Sequence, residues 1–257
     1  MNANRRKEIM GRIAVSVLLV VVILVGACAV YLGIYYHADE DAVAAFLPKE
    51  STWREEPDGT VVFEPQEAVA GLIFYPGGKV EHRAYIPLMQ ELSSHGILCV
   101  LVKMPFNLAV FDVRAADGIQ AQYPDIEKWY IGGHSLGGSM AAAYLSDNMA
   151  DYEGLLLLGS YSATDLSGSD LDVLSVFGSE DGVLNREKYE ECKANLPKRL
   201  SEQVLEGGCH AYFGMYGAQK GDGTPTVSVE EQIRLTAVIV SEWITPLEVE
   251  KTGLGGS

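Results

Sequence analysis

The chain has 257 residues, of which 48% are hydrophobic and 9% aromatic, enough for one large globular domain with a sizeable core plus an appendage. Its formal net charge is −16 at pH 7, which argues against nucleic acid or anionic lipid as a partner of the globular part. Its four cysteines, Cys28, Cys99, Cys192 and Cys209, lack any metal-ligand spacing such as C-x-x-C, so buried or unpaired thiols are expected, with a Cys192–Cys209 disulfide left open.

Residues 1–12 carry Arg5, Arg6, Lys7 and Arg12 against a single acid, Glu8. An uncharged apolar stretch follows, residues 13–36. It is longer than the roughly 20 residues that cross a bilayer as a helix, and longer than the roughly 7–15 of a cleaved signal peptide's apolar core. Tyr31, Tyr35 and Tyr36 cluster at its far end, as an interfacial aromatic belt does. Basic residues before it and Asp39, Glu40 and Asp41 after it predict a cytoplasmic N-terminus and a signal anchor. The rest of the chain is then expected outside the cytoplasm, on a single-pass membrane protein. Val25-Gly26-Ala27-Cys28 also resembles a lipoprotein processing site, but the residues after Cys28 stay apolar. Both alternatives tether the same domain to a membrane.

Beyond this stretch, residues 37–59 read as a linker, with a short helix from Asp39 to Leu47 ended by Pro48 and a polar loop over 49–60. Thr60 to Glu64 is a strand candidate. Ala70 to Tyr75 is a continuous apolar run closed by Pro76-Gly77-Gly78, which suits a strand buried on both faces of a parallel sheet. A helix is expected over 82–95, a buried strand over Ile97–Val102, and a helix over 109–122. A strand over Trp129–Gly133 and a helix over 138–149 follow. Strands over Leu155–Leu158, Leu171–Phe177 and Ser201–Leu205 alternate with a helix over Arg186–Asn195. A final helix runs from Val229 to Thr245, with Ile233, Ala237, Val240 and Ile244 on one face. Residues 247–257 read as a disordered tail. Alternating strands and helices through one domain predict an α/β fold with a mostly parallel sheet covered on both faces.

The stretch Gly132-Gly133-His134-Ser135-Leu136-Gly137-Gly138 places G-x-S-x-G between a strand and a helix. In that context the pattern presents a serine on a sharp turn, with a helix N-terminus behind it to stabilise negative charge. A serine hydroxyl needs a base, and the base needs an orienting acid. In parallel sheets such groups gather beyond the carboxyl ends of the strands. Val173–Phe177 runs into Gly178-Ser179-Glu180-Asp181-Gly182, and Ser201–Leu205 into Glu206-Gly207-Gly208-Cys209-His210. Asp181 is the preferred acid, with its neighbour Glu180 as the alternative, and His210 is the base. His37 falls at the membrane boundary. His82 and His95 flank a helix, where solvated side chains are expected, and His134 is expected to pack rather than react. An oxyanion hole needs preorganised N–H donors. The amide of Leu136 is one. The loop after the first buried strand supplies the other, Gly78 in preference to Lys79.

These segments resemble the α/β-hydrolase superfamily over residues 60–246, and most of all a bacterial subgroup related to dienelactone-hydrolase-like esterases. The resemblance rests on Leu72 to Val80, Val102 to Phe111, Trp129 to Gly138, Tyr189, Gly207 to Ala211 and Phe213 to Gly223. It implies a nucleophile at Ser135, an acid at Asp181 and a general base at His210. The early antiparallel strands look reduced to residues 60–64, and no large cap insertion separates Leu158 from Leu171, so an open, shallow site is expected. Asp222 has no place in the triad; a turn residue is the simpler assignment, a brace for the His210 loop the other.

The sequence therefore predicts a membrane-anchored serine esterase that works through an acyl-enzyme, needs no metal or organic cofactor and acts as a monomer on a small-molecule ester. Acyl transfer to an envelope component shares every motif, and a non-catalytic binding module on the same fold is the third possibility.

Overall fold

The computed structural model describes residues 3–51 and 53–246. It divides into two units, residues 1–35 and 36–257. The first is a single helix, α1 (Ala3–Gly33). Its stretch Met10–Gly33 spans 24 residues at a mean hydropathy of 3.1, long and apolar enough to cross a bilayer. The side chains of Leu18, Val22 and Ile23 on it are exposed. The helix stops at Gly33, short of the expected limit at residue 36. Tyr36 belongs instead to the globular unit, where it pairs with Val80 in a parallel bridge and donates its N–H to the Lys79 carbonyl at 2.7 Å.

The globular unit is built on one eight-stranded sheet in the order β1-β2-β4-β3-β5-β6-β7-β8. Its strands are β1 (Arg54–Glu55), β2 (Val61–Phe63), β3 (Ala70–Tyr75), β4 (Ile97–Leu101), β5 (Trp129–His134), β6 (Gly154–Leu158), β7 (Asp172–Gly178) and β8 (Leu200–Leu205). From β4 to β8 all neighbours run parallel, while β1 and β2 are antiparallel at one edge. The continuous apolar runs explain the central strands. Every residue of β3, β4, β5 and β6 is buried, because helices cover both faces. Leu72 and Phe74 face one core with α3 (Ile86–Ser94) and α6 (Val229–Ile244). Ile73 and Tyr75 face the other, with α4 (Leu136–Asn148).

Residues 37–59, expected as linker, contribute packed structure. Helix α2 (Glu40–Phe46) is capped by Asp39, whose carboxylate accepts the Ala42 N–H at 3.0 Å, and it buries Val43 in the first core. The two-residue strand β1 adds a second antiparallel element where the sequence showed only one. The expected helix at 109–122 does not form. Two short 3-10 turns, Ala109–Phe111 and Gln120–Gln122, stand in its place. Gly118 breaks the run at φ 75°, and the Ala116 N–H goes to the buried Tyr75 hydroxyl at 3.0 Å instead of to a carbonyl one turn back. The remaining helix, α5 (Arg186–Cys192), passes into a 3-10 turn at Lys193–Asn195. The four cysteines are free thiols. His95 is exposed as expected, but His82 is buried. The tail at 247–257 lies outside the described residues.

Candidate active site

Strand β5 ends at His134 and α4 begins at Leu136, so Ser135 alone makes the turn. Its backbone sits at φ 52° and ψ −122°, which for a residue with a side chain costs on the order of 1–3 kcal/mol. Neighbouring contacts hold that conformation. A Cβ on Gly137 would overlap the carbonyl oxygen of Tyr75, so only glycine lets α4 start this close to β3. The Ser135 N–H donates to the Leu158 carbonyl at 2.9 Å, and the Ser160 hydroxyl donates to the Ser135 carbonyl at 2.6 Å. The Ser135 hydroxyl makes no helix-capping bond, although the residue occupies the cap position.

Asp181 follows β7 on a turn that its own side chain shapes. Its Oδ1 accepts the N–H groups of Val183 at 2.9 Å and Leu184 at 2.8 Å. This turns Oδ2 toward His210, whose Nδ1 lies 2.9 Å away, with both side chains almost fully buried. Glu180 is exposed and its carboxylate accepts from the hydroxyl of its neighbour Ser179, so Asp181 and not Glu180 reaches the histidine. A carboxylate can only accept, so His210 Nδ1 carries a proton toward Asp181, and in the neutral ring Nε2 is then the nitrogen with the lone pair. That Nε2 is buried and has no hydrogen-bond partner among the described residues. His210 and Ser135 line one cavity of about 240 Å³, together with Leu136, Ser160, Tyr161 and Asn185.

The loop after β3 runs beside the elbow. The Gly77 N–H donates to the Tyr85 hydroxyl at 3.0 Å, and the Lys79 N–H to the Asn107 carbonyl at 2.7 Å. Both amides are therefore engaged, which removes Lys79 as an oxyanion donor. The Gly78 amide between them has no hydrogen-bond partner among the described residues. Gly78 also lies against Leu136, since a Cβ there would stand 2.8 Å from Leu136 Cδ2. The two amides chosen from the sequence thus sit on adjoining segments.

Four supporting residues were not singled out from the sequence. Gly159, at φ +50°, passes beneath the dyad, where a Cβ would stand 3.0 Å from His210 Nδ1 and 3.1 Å from Asp181 Oδ2. Ser160 holds the elbow. Gln232, buried on α6, accepts the Cys209 N–H at 2.9 Å and donates to the Cys209 carbonyl at 2.8 Å, fixing the residue before His210. Tyr85 accepts from Gly77 and lies 2.8 Å from His134 Nδ1, to which its hydroxyl hydrogen is left to donate. His134 packs as expected. Its ring lies 4.4 Å from that of His210, and burial, then the nearby His210, hold its imidazole well below the usual 6.5.

Asp222 is a brace and not a simple turn residue. Its Oδ1 accepts the N–H groups of Gly182 and His210, both at 3.1 Å, and of Gly223 at 2.9 Å; its Oδ2 accepts that of Ala211 at 2.8 Å. One carboxylate thereby ties the loop of the acid to the loop of the histidine. Burial pushes its pKa up, but the four amide donors outweigh that and bring it below its ordinary 3.8. Among the described residues there is no cluster of His, Cys, Asp and Glu suited to a metal ion.

Comparison with solved structures places this architecture. The chain is similar to a dienelactone hydrolase from Anabaena variabilis (15% identity, 72% of this chain and 89% of that one, TM-score 0.53). It is also similar to a Thermus thermophilus protein (14%, 76% and 99%, TM-score 0.54) and to a protein described as a predicted CIB-like hydrolase from Thermoplasma acidophilum (17%, 74% and 99%, TM-score 0.51). At such identities the likeness is one of fold. A search of curated proteins finds no match. The model of the Alpha/beta hydrolase family matches residues 71–234, more than half of the sequence. By that match and its α/β-hydrolase fold, the chain belongs to the alpha/beta hydrolase family.

Proposed function

We propose that this protein is a serine hydrolase of carboxylic esters, anchored to a membrane by α1, with Ser135, Asp181 and His210 as its catalytic triad. One observation carries the proposal: His210 is pinned through Nδ1 to a buried carboxylate, its Nε2 has no hydrogen-bond partner among the described residues, and His210 and Ser135 line the same cavity. A histidine kept in that tautomer is poised to take a proton. As Ser135 Oγ bonds to the acyl carbon, its proton passes to His210 Nε2, and Asp181 stabilises the imidazolium. The carbonyl oxygen becomes an oxyanion beside the amides of Leu136 and Gly78, and the dipole of α4 adds to their field. His210 returns the proton to the departing alcohol oxygen. Water then repeats the sequence on the acyl-enzyme and releases the acid.

The anchor reading rests on the length and hydropathy of α1 and on its flanking charge. Arg5, Arg6, Lys7 and Arg12 precede the apolar stretch, and this excess of basic residues supports an orientation with the hydrolase unit outside the cytoplasm. The test is hydrolysis of p-nitrophenyl acetate by the full chain and by Ser135→Ala. The expected result is a loss of about 10³-fold or more in kcat for the variant with its circular dichroism unchanged. Undiminished turnover would remove Ser135 from the chemistry.

A further inference from the structure

The loop at 104–111, next to the oxyanion amides, is held in a costly shape. Phe106 (φ 54°) and Asn107 (φ 55°) are successive residues with side chains in the left-handed region. Buried Met104 and Ala109 hold the backbone on either side of these two residues. The Asn107 carbonyl accepts from Lys79, and the Leu108 N–H donates to Pro105 at 3.0 Å. The effect is to push apolar side chains outward. Phe106 is 59% exposed and Phe111 55%, and their rings meet edge to face with centroids 5.7 Å apart. Phenylalanines are more often buried, and an exposed pair in mutual contact offers a surface that an apolar ligand, a protein or a bilayer can cover.

The loop that bears this ridge approaches the elbow at Gly78. A Cβ on Gly78 would stand 2.8 Å from Leu136 Cδ2 and 3.6 Å from Leu108 Cδ2, so the two leucines flank the free amide. Leu136 also lines the cavity with Ser135 and His210. Leu136 borders the nucleophile, Leu108 reaches the same glycine, and the loop that carries Leu108 also carries Phe106 and Phe111.

Proton transfer decides which arm of an ester lies on which side. The leaving alcohol oxygen must take its proton from His210 Nε2, so the alcohol occupies the cavity that His210 lines. The acyl arm then points away, past the oxyanion amides and onto the ridge. The cavity is small, about 240 Å³. Its lining sets the apolar Leu136, Val183 and Leu184 beside the polar side chains of Tyr161 and Asn185, and includes no lysine, arginine, aspartate or glutamate.

Resting on the serine-hydrolase reading above, we propose that the substrate is an ester of an apolar acyl chain with a small, uncharged, hydroxyl-bearing alcohol. The acyl chain lies along Leu136, Leu108, Phe106 and Phe111, and the alcohol fills the cavity. Ser135 Oγ bonds to the acyl carbon, the acyl–oxygen bond to the alcohol breaks, and the alcohol leaves with the proton from His210. Water then releases the fatty acid.

The test uses the full chain in zwitterionic lipid nanodiscs, so that no free detergent coats the ridge, with 1-octanoylglycerol and 1-acetylglycerol as substrates. The wild type is expected to favour the octanoyl ester by about tenfold or more in kcat/KM. Phe106→Ala/Phe111→Ala is expected to remove that preference by raising KM for the octanoyl ester about tenfold, with a much smaller change for the acetyl ester. Equal loss on both esters, or no loss on either, overturns the acyl site. So does a variant whose only change is its oligomeric state or its affinity for zwitterionic vesicles, because the ridge is then a contact between copies or with a bilayer. Ser135→Ala separates the two claims: if it still cleaves both esters, the serine-hydrolase reading itself fails.

Discussion

Asp222 Oδ1 accepts the backbone N–H of His210 at 3.1 Å. The same oxygen holds Gly182, the residue after Asp181, so the spacing of acid and base depends on a second carboxylate. Asp222→Asn sets an amide NH2 against the Ala211 N–H or loses the Oδ1 acceptor. The expected outcome is a fall of about 10–100-fold in kcat, since small misplacements in a triad are costly, with KM little changed. The folded pKa of this carboxyl lies below its ordinary 3.8. Its contribution is therefore complete above that value and lost as pH falls through the lower folded one. Acid unfolding of the wild type between about pH 4 and 2 should be steeper than that of Asp222→Asn. Wild-type kcat in the variant would show that the brace does not set the dyad.

His134 predicts a second pH effect at a higher window. Its folded pKa is held well below 6.5 by burial and by His210. Below 6.5 the unfolded chain binds a proton that the folded chain refuses. Stability is then complete above that pH and declines as pH drops, by at most about 1.4 kcal/mol per unit. Melting temperatures from pH 8 to 5 should fall for the wild type and fall less for His134→Gln. A flat wild-type profile would contradict this.

Gly159 is a steric prediction. Alanine there needs φ +50° and brings a methyl to about van der Waals overlap with His210 Nδ1 and Asp181 Oδ2. Gly159→Ala should cost about 1–2 kcal/mol of stability from the backbone alone. It should also lower kcat far more than a surface Gly→Ala such as Gly168→Ala, where a Cβ meets nothing within 4 Å. Comparable activity in both variants would count against it.

The membrane claim separates from the chemistry. Because α1 itself is proposed as the anchor, Cys28→Ala should stay in the membrane fraction after alkaline carbonate washing. Release of that variant would point to lipid attached at Cys28. A chain beginning at residue 38 should be soluble but less active than one beginning at 34. The first lacks Tyr36, which is bonded to Lys79 next to Gly78. Equal activity would show that this contact does not support the oxyanion loop.

Much of the parallel sheet was legible because its strands are unbroken apolar runs. Ala70–Tyr75 is buried at every position, which leaves no competing period. The dyad was legible because Asp181 and His210 follow consecutive strand ends, where side chains converge. Other features depend on partners distant in sequence. Ala109 to Gln122 has helical composition, yet Tyr75, more than thirty positions earlier, takes the Ala116 N–H. Tyr36 looks interfacial beside Tyr35, yet the Lys79 carbonyl and Val80 draw it into the globular unit. Asp222 sits in Gly221-Asp222-Gly223, a turn by local signals; only the fold brings Gly182, forty positions away, to its side chain.

The most direct measurement is mass spectrometry of the full chain after treatment with a fluorophosphonate, comparing the wild type with His210→Ala. The account predicts a covalent adduct on Ser135 in the wild type, formed at least about a hundredfold faster than in the variant, because the serine depends on its base. No adduct at Ser135, or an adduct formed equally fast without His210, would contradict it.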